Sequence, residues 1–106
     1  MLLDDFLKEA KKRVKDRRLD FIPTRKNRRS RQKYGISILE IEDTILKLTP
    51  GDLYKGPEID RDCPDEILWI FKRETTSCKD ILFYIKLKLR ERDKEEIVCI
   101  SFHEDE

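Results

Sequence analysis

The sequence predicts an α+β fold in which N-terminal helices pack on one face of a C-terminal antiparallel β-sheet. Two patterns predict it: apolar residues recur at three- and four-residue steps up to Leu48, and they alternate along the chain after Gly51. The chain has 106 residues, a length typical of one domain, so we expect residues 1–106 to form a single domain rather than a two-domain enzyme. Although 44% of the residues are charged, 38% are hydrophobic, which allows a small core.

The first predicted helix spans residues 2–19. Five apolar residues recur along one side of this otherwise charged segment and form a single stripe: Leu3, Phe6, Leu7, Ala10 and Val14. The sequence Phe21-Ile22-Pro23 interrupts the pattern, because proline disfavours a helical conformation in the residue before it. The stripe predicts that this helix packs against the sheet.

Two further helices are predicted before the sheet. The segment 24–33 forms a basic helix that ends near Gly35, where glycine adopts a left-handed conformation without strain. Ser37 and Glu40 have the spacing of a capping box and begin the third helix. The sequence Thr49-Pro50-Gly51 ends it.

The sheet is predicted to follow a turn-rich segment at 56–64. Residues 67–72 form the first clear strand, which is apolar on both faces near its middle and is therefore expected to be central. Residues 81–90 and 96–102 form the next two strands.

The last two strands are predicted to form a hairpin with a loop at 92–95, and this fixes their register. One face is then apolar, with Leu89 opposite Val98, Leu87 opposite Ile100, and Ile85 opposite Phe102. The other face is mostly polar, with Lys88 opposite Cys99, Lys86 opposite Ser101, and Tyr84 opposite His103. We expect the helices to cover the apolar face and the polar face to meet water or a polar ligand.

The polar face carries the groups that cleave a phosphodiester without a metal. The single histidine, His103, is able to act as a base or an acid near neutral pH. Lys86 and Lys88 offer cations for a phosphate, and Tyr84 offers a phenol. The alternative is a solvated, inert sheet face, which composition alone favours.

Basic residues are concentrated at the N-terminal end of the chain. Residues 1–33 carry a net charge of +8, which leaves −7 for the remainder. Six cations stand within nine residues, with no carboxylate between them: Arg25, Lys26, Arg28, Arg29, Arg31 and Lys33. This density favours binding to phosphates or to an acidic protein over a merely solvated helix face.

Several other classes of site are excluded by the motifs that the sequence lacks. It has no glycine-rich phosphate loop, no G-x-S-x-G elbow and no H-E-x-x-H zinc motif. Three cysteines without close spacing fit neither a disulfide framework nor a zinc site, so we expect reduced thiols and no metal. No apolar run exceeds five residues and no secretion signal is recognised, so we expect a cytoplasmic protein without membrane contact.

Four short motifs resemble the MqsR family of toxins from bacterial type II toxin–antitoxin systems, in order and in rough spacing. They are Asp52-Leu53-Tyr54-Lys55, Ile67-Leu68-Trp69, Phe83-Tyr84-Ile85-Lys86 and Val98-Cys99-Ile100-Ser101-Phe102. The resemblance spans about residues 11–104. It implies a fold similar to RelE-like and microbial ribonucleases, metal-independent and cofactor-free mRNA interferase activity on single-stranded mRNA, and neutralisation by a cognate antitoxin.

The resemblance also implies roles for individual residues. Lys55, next to Tyr54, and Tyr84 fall where the family's proposed catalytic lysine and tyrosine lie. Two positions depart, because the founding member has glutamine at the position of Ile70 and lysine at that of His103. The expected catalytic group is therefore Lys55, Tyr84, Lys86 and His103, and RNA binding is expected from Tyr54, Lys88 and the six cations of the basic helix.

Two alternatives to this hypothesis stay open at the level of sequence. The first is that the chain is a non-catalytic module that binds nucleic acid or protein through its basic helix. The second is that it cuts RNA only in association with the ribosome. Salt-sensitive binding without cleavage distinguishes the first of these, and activity only with translating ribosomes distinguishes the second.

Overall fold

The computed structural model describes residues 1–105, which form an α+β fold of three α-helices and a five-stranded sheet. The helices are α1 (Leu3–Lys15), α2 (Arg25–Tyr34) and α3 (Ile38–Leu46). The strands are β1 (Leu19–Phe21), β2 (Leu53–Ile59), β3 (Ile67–Arg73), β4 (Phe83–Arg90) and β5 (Glu96–Glu104). Within this described part of the chain, each helix is too short or too polar to cross a lipid bilayer.

The strand order in the sheet is β1-β5-β4-β3-β2. Strands β2 to β5 are antiparallel to their neighbours, which confirms the predicted C-terminal sheet, whereas β1 adds to β5 in parallel. Sequence reasoning missed β1 because α1 ends at Lys15, earlier than predicted, and leaves only three residues for the strand. The sequence also predicted a turn-rich segment at 56–64, whereas residues 56–59 belong to β2.

Gly56 explains why β2 looks like a turn in the sequence. Its φ is +128°, and a Cβ at this position would lie 2.9 Å from the Leu68 carbonyl oxygen in β3. Glycine is therefore required here for the close approach of two strands as well as for its backbone conformation.

The core lies between the sheet and helices α1 and α3. The apolar stripe of α1 faces this core as predicted, and the Phe6 ring contacts Trp69 and Phe71 with centroids 5.6 and 6.3 Å apart. Ile41 and Ile45 of α3 are fully buried against it. The opposite face of the sheet is here called the open face, and among residues 1–105 none of the three helices crosses its centre.

The register of β4 and β5 is as predicted over the first half of the hairpin. Tyr84 pairs with His103, and the next two pairs also follow the predicted register. An irregularity at Ile100 then shifts the pairing, so that Leu87 lies opposite Cys99 and Lys88 opposite Val98. The predicted positions of Val98, Cys99 and Ile100 are therefore wrong: Cys99 lies in the core, whereas Val98 and Ile100 lie on the open face.

Helix α2 docks on β5 through polar side chains. Asn27 Nδ2 donates hydrogen bonds to the carbonyls of Ile22 and Ile100, at 2.8 and 2.9 Å, and its Oδ1 accepts from the Phe102 amide at 2.9 Å. The Ser30 hydroxyl accepts from the Glu104 amide at 2.9 Å. These bonds satisfy the outer edge of β5 beyond the point where β1 ends, and they place the basic helix beside the C-terminal end of β5.

Candidate functional site

Four side chains form a row across the open face, one from each of the strands β2 to β5. Lys72, Tyr84 and His103 are direct cross-strand partners. The Lys72 ammonium lies 3.7 Å from the centroid of the Tyr54 ring, which extends the row to β2. We call Tyr54, Lys72, Tyr84 and His103 the cross-strand row.

At one end of this row, the Tyr84 and His103 rings stack with centroids 5.3 Å apart and an angle of 13° between their planes. His103 Nδ1 lies 3.1 Å from the Glu104 carbonyl oxygen. In the neutral imidazole, a hydrogen bond donated to this carbonyl leaves the lone pair on Nε2. Burial raises the pKa of Tyr84, so its phenol keeps its proton near neutral pH.

Lys55 stands on the open face at the β2 edge, where its cross-strand partner is Ile70. Its ammonium makes a hydrogen-bonded ion pair with the Glu58 carboxylate at 3.2 Å, and this bond raises the pKa of Lys55. The side chain remains 61% exposed, so it keeps access to a bound anion.

Two adjoining cavities make one groove across the open face. The first, of about 1000 Å³, is lined by Lys55 and Glu58 and continues to Tyr84 and Lys86. The second, of about 630 Å³, is also lined by Tyr84 and Lys86 and continues through His103 to α2. The structure thus brings the four expected catalytic residues to one groove, with Tyr84 and Lys86 at its middle.

The cations of α2 do not all face this groove. Lys26, Arg29 and Lys33 line it, whereas Arg25 and Arg28 are exposed elsewhere on the helix. Arg31 is half-buried, its Nε donates to the Ile36 carbonyl at 3.0 Å, and its guanidinium lies over the Phe21 ring. Arg31 is therefore occupied in holding the end of α2.

Lys88 is placed differently from the sequence prediction. It is only 7% exposed, and its ammonium lies 2.6 Å from the Asp60 carboxylate and 2.8 Å from that of Glu66. Burial acts to lower the pKa of Lys88, but the two carboxylates outweigh it and the pKa is raised. The predicted exposure is wrong because the loop between β2 and β3 lies against this end of the open face, and its carboxylates enclose the ammonium.

Asp60, Cys63 and Glu66 form a group of potential metal ligands among residues 1–105, with ligand atoms within 4.8 Å of one another. The Lys88 ammonium already bonds to both carboxylates. The hydrogen bond that Lys88 donates to Asp60 lowers the pKa of the Asp60 carboxyl, as expected for a carboxylate in an ion pair. The group is therefore best described as a buried ion-pair cluster.

Lys72 and Asp105 were missed by sequence reasoning, although they stand in the same region. The Lys72 ammonium makes an ion pair with the Asp105 carboxylate at 2.9 Å. The alternation of β3 puts Lys72 on the polar side, but nothing in the sequence indicates that Tyr54 and Asp105 meet it there. Only the strand order places the three together.

Residues 5–104 match the family model described as "Motility quorum-sensing regulator, toxin of MqsA". The match covers nearly the whole chain and includes the cross-strand row. Searches of curated proteins and of solved structures found no match.

Proposed function

The chain belongs to the MqsR family of toxins of toxin–antitoxin systems, and from that premise we propose that it is an endoribonuclease that cleaves single-stranded mRNA without a metal ion. The observation that supports this function best is the groove in which His103, Tyr84 and Lys86 adjoin the cations of α2. On one open surface, an imidazole is able to transfer a proton and several cations are able to bind the phosphates of a flexible RNA strand.

In the proposed reaction, His103 Nε2 takes the proton of a ribose 2′-hydroxyl. The 2′-oxygen attacks the neighbouring phosphorus, the bond from phosphorus to the 5′-oxygen breaks, and that oxygen takes a proton from the Lys86 ammonium. Lys55 stabilises the negative charge that develops on the phosphoryl oxygens, and Tyr84 orients the substrate through its phenol hydrogen. The products are a 2′,3′-cyclic phosphate and a 5′-hydroxyl end.

Before the reaction, the positive charge of α2 attracts the RNA to the groove. Lys26, Arg29 and Lys33 line the groove, and Arg25 and Arg28 add to the positive field around it. These side chains attract the RNA backbone without selecting a base sequence. Lys88 has no part in this step, because its ammonium is enclosed by the β2–β3 loop.

The test is incubation of the purified protein with a long single-stranded RNA in EDTA, without ribosomes. We expect discrete fragments that end in cyclic phosphate from the wild type, and their loss from His103→Ala and Lys55→Ala. Lys8→Ala is the matched control, because Lys8 is exposed on α1 on the other side of the sheet. Full cleavage by folded His103→Ala and Lys55→Ala would overturn the assignment.

Repeating the reaction with translating ribosomes separates the remaining outcomes. Cleavage only in their presence would place the activity on the ribosome. Salt-sensitive RNA binding without cleavage under either condition would show a non-catalytic binding module and overturn the proposed reaction.

The family implies an antitoxin partner, and we propose that this antitoxin inhibits cleavage by presenting acidic side chains to the basic N-terminal region. The net charge of +8 over residues 1–33 favours rapid association with such a partner. We expect the association rate to fall with rising salt, which stopped-flow measurement with the co-expressed antitoxin would detect. An association rate independent of salt would contradict this role for the charge.

A further inference from the structure

The ammonium of Lys72 is held at the centre of the cross-strand row between an aromatic ring and a carboxylate. It lies 3.7 Å from the Tyr54 ring centroid and 2.9 Å from Asp105 Oδ2. The side chains of Lys72 and Asp105 are each 25% exposed, so solvent and solute ions reach both partners. Tyr54 is 57% exposed and leaves part of its ring surface uncovered.

The Asp105 backbone and side chain are fixed by different contacts. The Asp105 amide donates to the Leu82 carbonyl at 2.9 Å, which holds the chain at the end of β5. Among residues 1–105, Lys72 is the ion-pair partner of the carboxylate. The carboxylate is thus free to leave Lys72 while the backbone stays in place.

Glu104 repeats this arrangement one residue earlier. Its carboxylate accepts from the Lys33 ammonium at 3.1 Å, and both residues line the cavity that contains His103. Carboxylates at and just after the end of β5 therefore neutralise one ammonium in the groove, that of Lys33, and one at its margin, that of Lys72 beside Tyr84. A partly exposed carboxylate on an ammonium occupies the position that a phosphate oxygen takes in a protein–RNA contact.

We propose that Lys72 binds a backbone phosphate of single-stranded RNA, and that the Asp105 carboxylate holds this position as an internal competitor until RNA displaces it. This inference rests on the proposed function for the identity of the ligand and adds a second phosphate subsite to it. Strands lie about 4.8 Å apart, so Lys72 on β3 stands roughly 10 Å from His103 on β5. That separation places the subsite at a nucleotide beside the cleaved bond, with Tyr54 available to stack on its base.

Binding of a fluorescein-labelled single-stranded RNA with 2′-O-methyl groups, measured by anisotropy over a range of salt, tests this inference independently of cleavage. We expect Lys72→Gln to weaken binding roughly three- to tenfold and to reduce the slope of log K against log salt by about 0.7, the value for one phosphate contact. Asp105→Asn is expected to tighten binding about two- to fivefold, as for loss of an exposed ion pair.

The double variant decides whether the two effects share one site. In a Lys72→Gln background, Asp105→Asn should have no further effect, because the competitor acts only through Lys72. Asp16→Asn removes the carboxylate from an exposed ion pair with Arg18, at the end of α1, and is the control for loss of a negative charge alone. Tightening by Asp16→Asn equal to that of Asp105→Asn, or an additive double variant, would overturn the competitor.

Failure here and failure of the proposed function give different results. An unchanged salt slope in Lys72→Gln, with wild-type cleavage intact, would overturn the Lys72 subsite and leave the endoribonuclease standing. RNA binding that shows the expected cycle in a protein without cleavage would support the subsite and overturn only the reaction. Absence of any RNA binding by the wild type would overturn both.

Discussion

Lys88→Met should destabilise the protein strongly, because it removes the cation from a buried cluster and keeps a side chain of similar length. In the wild type the ammonium bonds to Asp60 and Glu66, whose side chains are each 11% exposed. The substitution leaves two carboxylates beside each other without the cation that bonds to both of them. Removal of one partner from a buried ion pair costs about 3–5 kcal/mol, so we expect a loss of this size from the free energy of unfolding at pH 7.

The loss should depend on pH in a defined direction. In the wild type, the pKa values of Asp60 and Glu66 are both lowered, with the Lys88 hydrogen bond acting against desolvation. Their contribution to stability is therefore present above their unfolded pKa values and disappears as the pH falls through the folded ones. In Lys88→Met this contribution is missing at neutral pH. Protonation at low pH then removes the repulsion between the two carboxylates that remain. The difference between the two proteins should therefore persist down to the unfolded pKa values, at about pH 4, and shrink as the pH falls below them.

Urea unfolding followed by tryptophan fluorescence measures this difference. Trp69 is the single tryptophan, and it packs on Phe6 in the core, so its emission reports global unfolding. Arg92→Met is the control, because the ion pair of Arg92 with Asp65 is exposed and should contribute nothing measurable. A loss below about 1 kcal/mol in Lys88→Met, or a loss that does not shrink in acid, would refute the description of Lys88 as a buried structural cation.

Three further predictions concern the fold. Asn27→Ala removes three hydrogen bonds, two donated to the Ile22 and Ile100 carbonyls and one accepted from the Phe102 amide, and should lower the free energy of unfolding by about 3 kcal/mol in urea titrations; a change below about 1 kcal/mol would contradict the polar docking of α2. Gly56→Ala should cost at least about 2 kcal/mol in the same assay, since its Cβ collides with the Leu68 carbonyl at positive φ, and wild-type stability would contradict this. Burial raises the pKa of Cys99, so a thiol reagent should label it only as fast as the protein unfolds, as mass spectrometry of labelled peptides would show; rapid labelling in the native state would contradict its position in the core.

The sequence was sufficient where one pattern determined one structural choice. Alternation along the last two strands placed Tyr84 opposite His103, and the helical stripe placed Phe6 in the core. Ser37 caps the start of α3 as predicted, with its hydroxyl accepting from the Glu40 amide at 3.1 Å, but the Glu40 carboxylate bonds to Ser77 instead of completing the box. In each case the choice depends on residues that are close in the chain or on a strict two-residue period.

The sequence was insufficient where a distant polar group determines the local structure. The shift in β5 at Ile100 is supported by Asn27, which contacts the strand from a helix more than 70 residues earlier. Lys88 looked solvated because alternation assigns a face but gives no information on whether a loop covers that face. The position of Lys72 against Asp105 depends on strand order, which no local pattern encodes.

The three hydrogen bonds of Asn27 have a mechanical consequence for the groove. Two of them, with Ile100 and Phe102, join the helix that carries Lys26 and Arg29 directly to the strand that carries His103, and the third holds the Ile22 carbonyl just before the helix. If RNA binds α2 as proposed, the force that it exerts on the helix is transmitted directly to the backbone next to the imidazole. Under the proposed function, attraction of RNA by α2 and alignment of the His103 imidazole are therefore coupled, and a change that moves α2 is expected to move β5 with it.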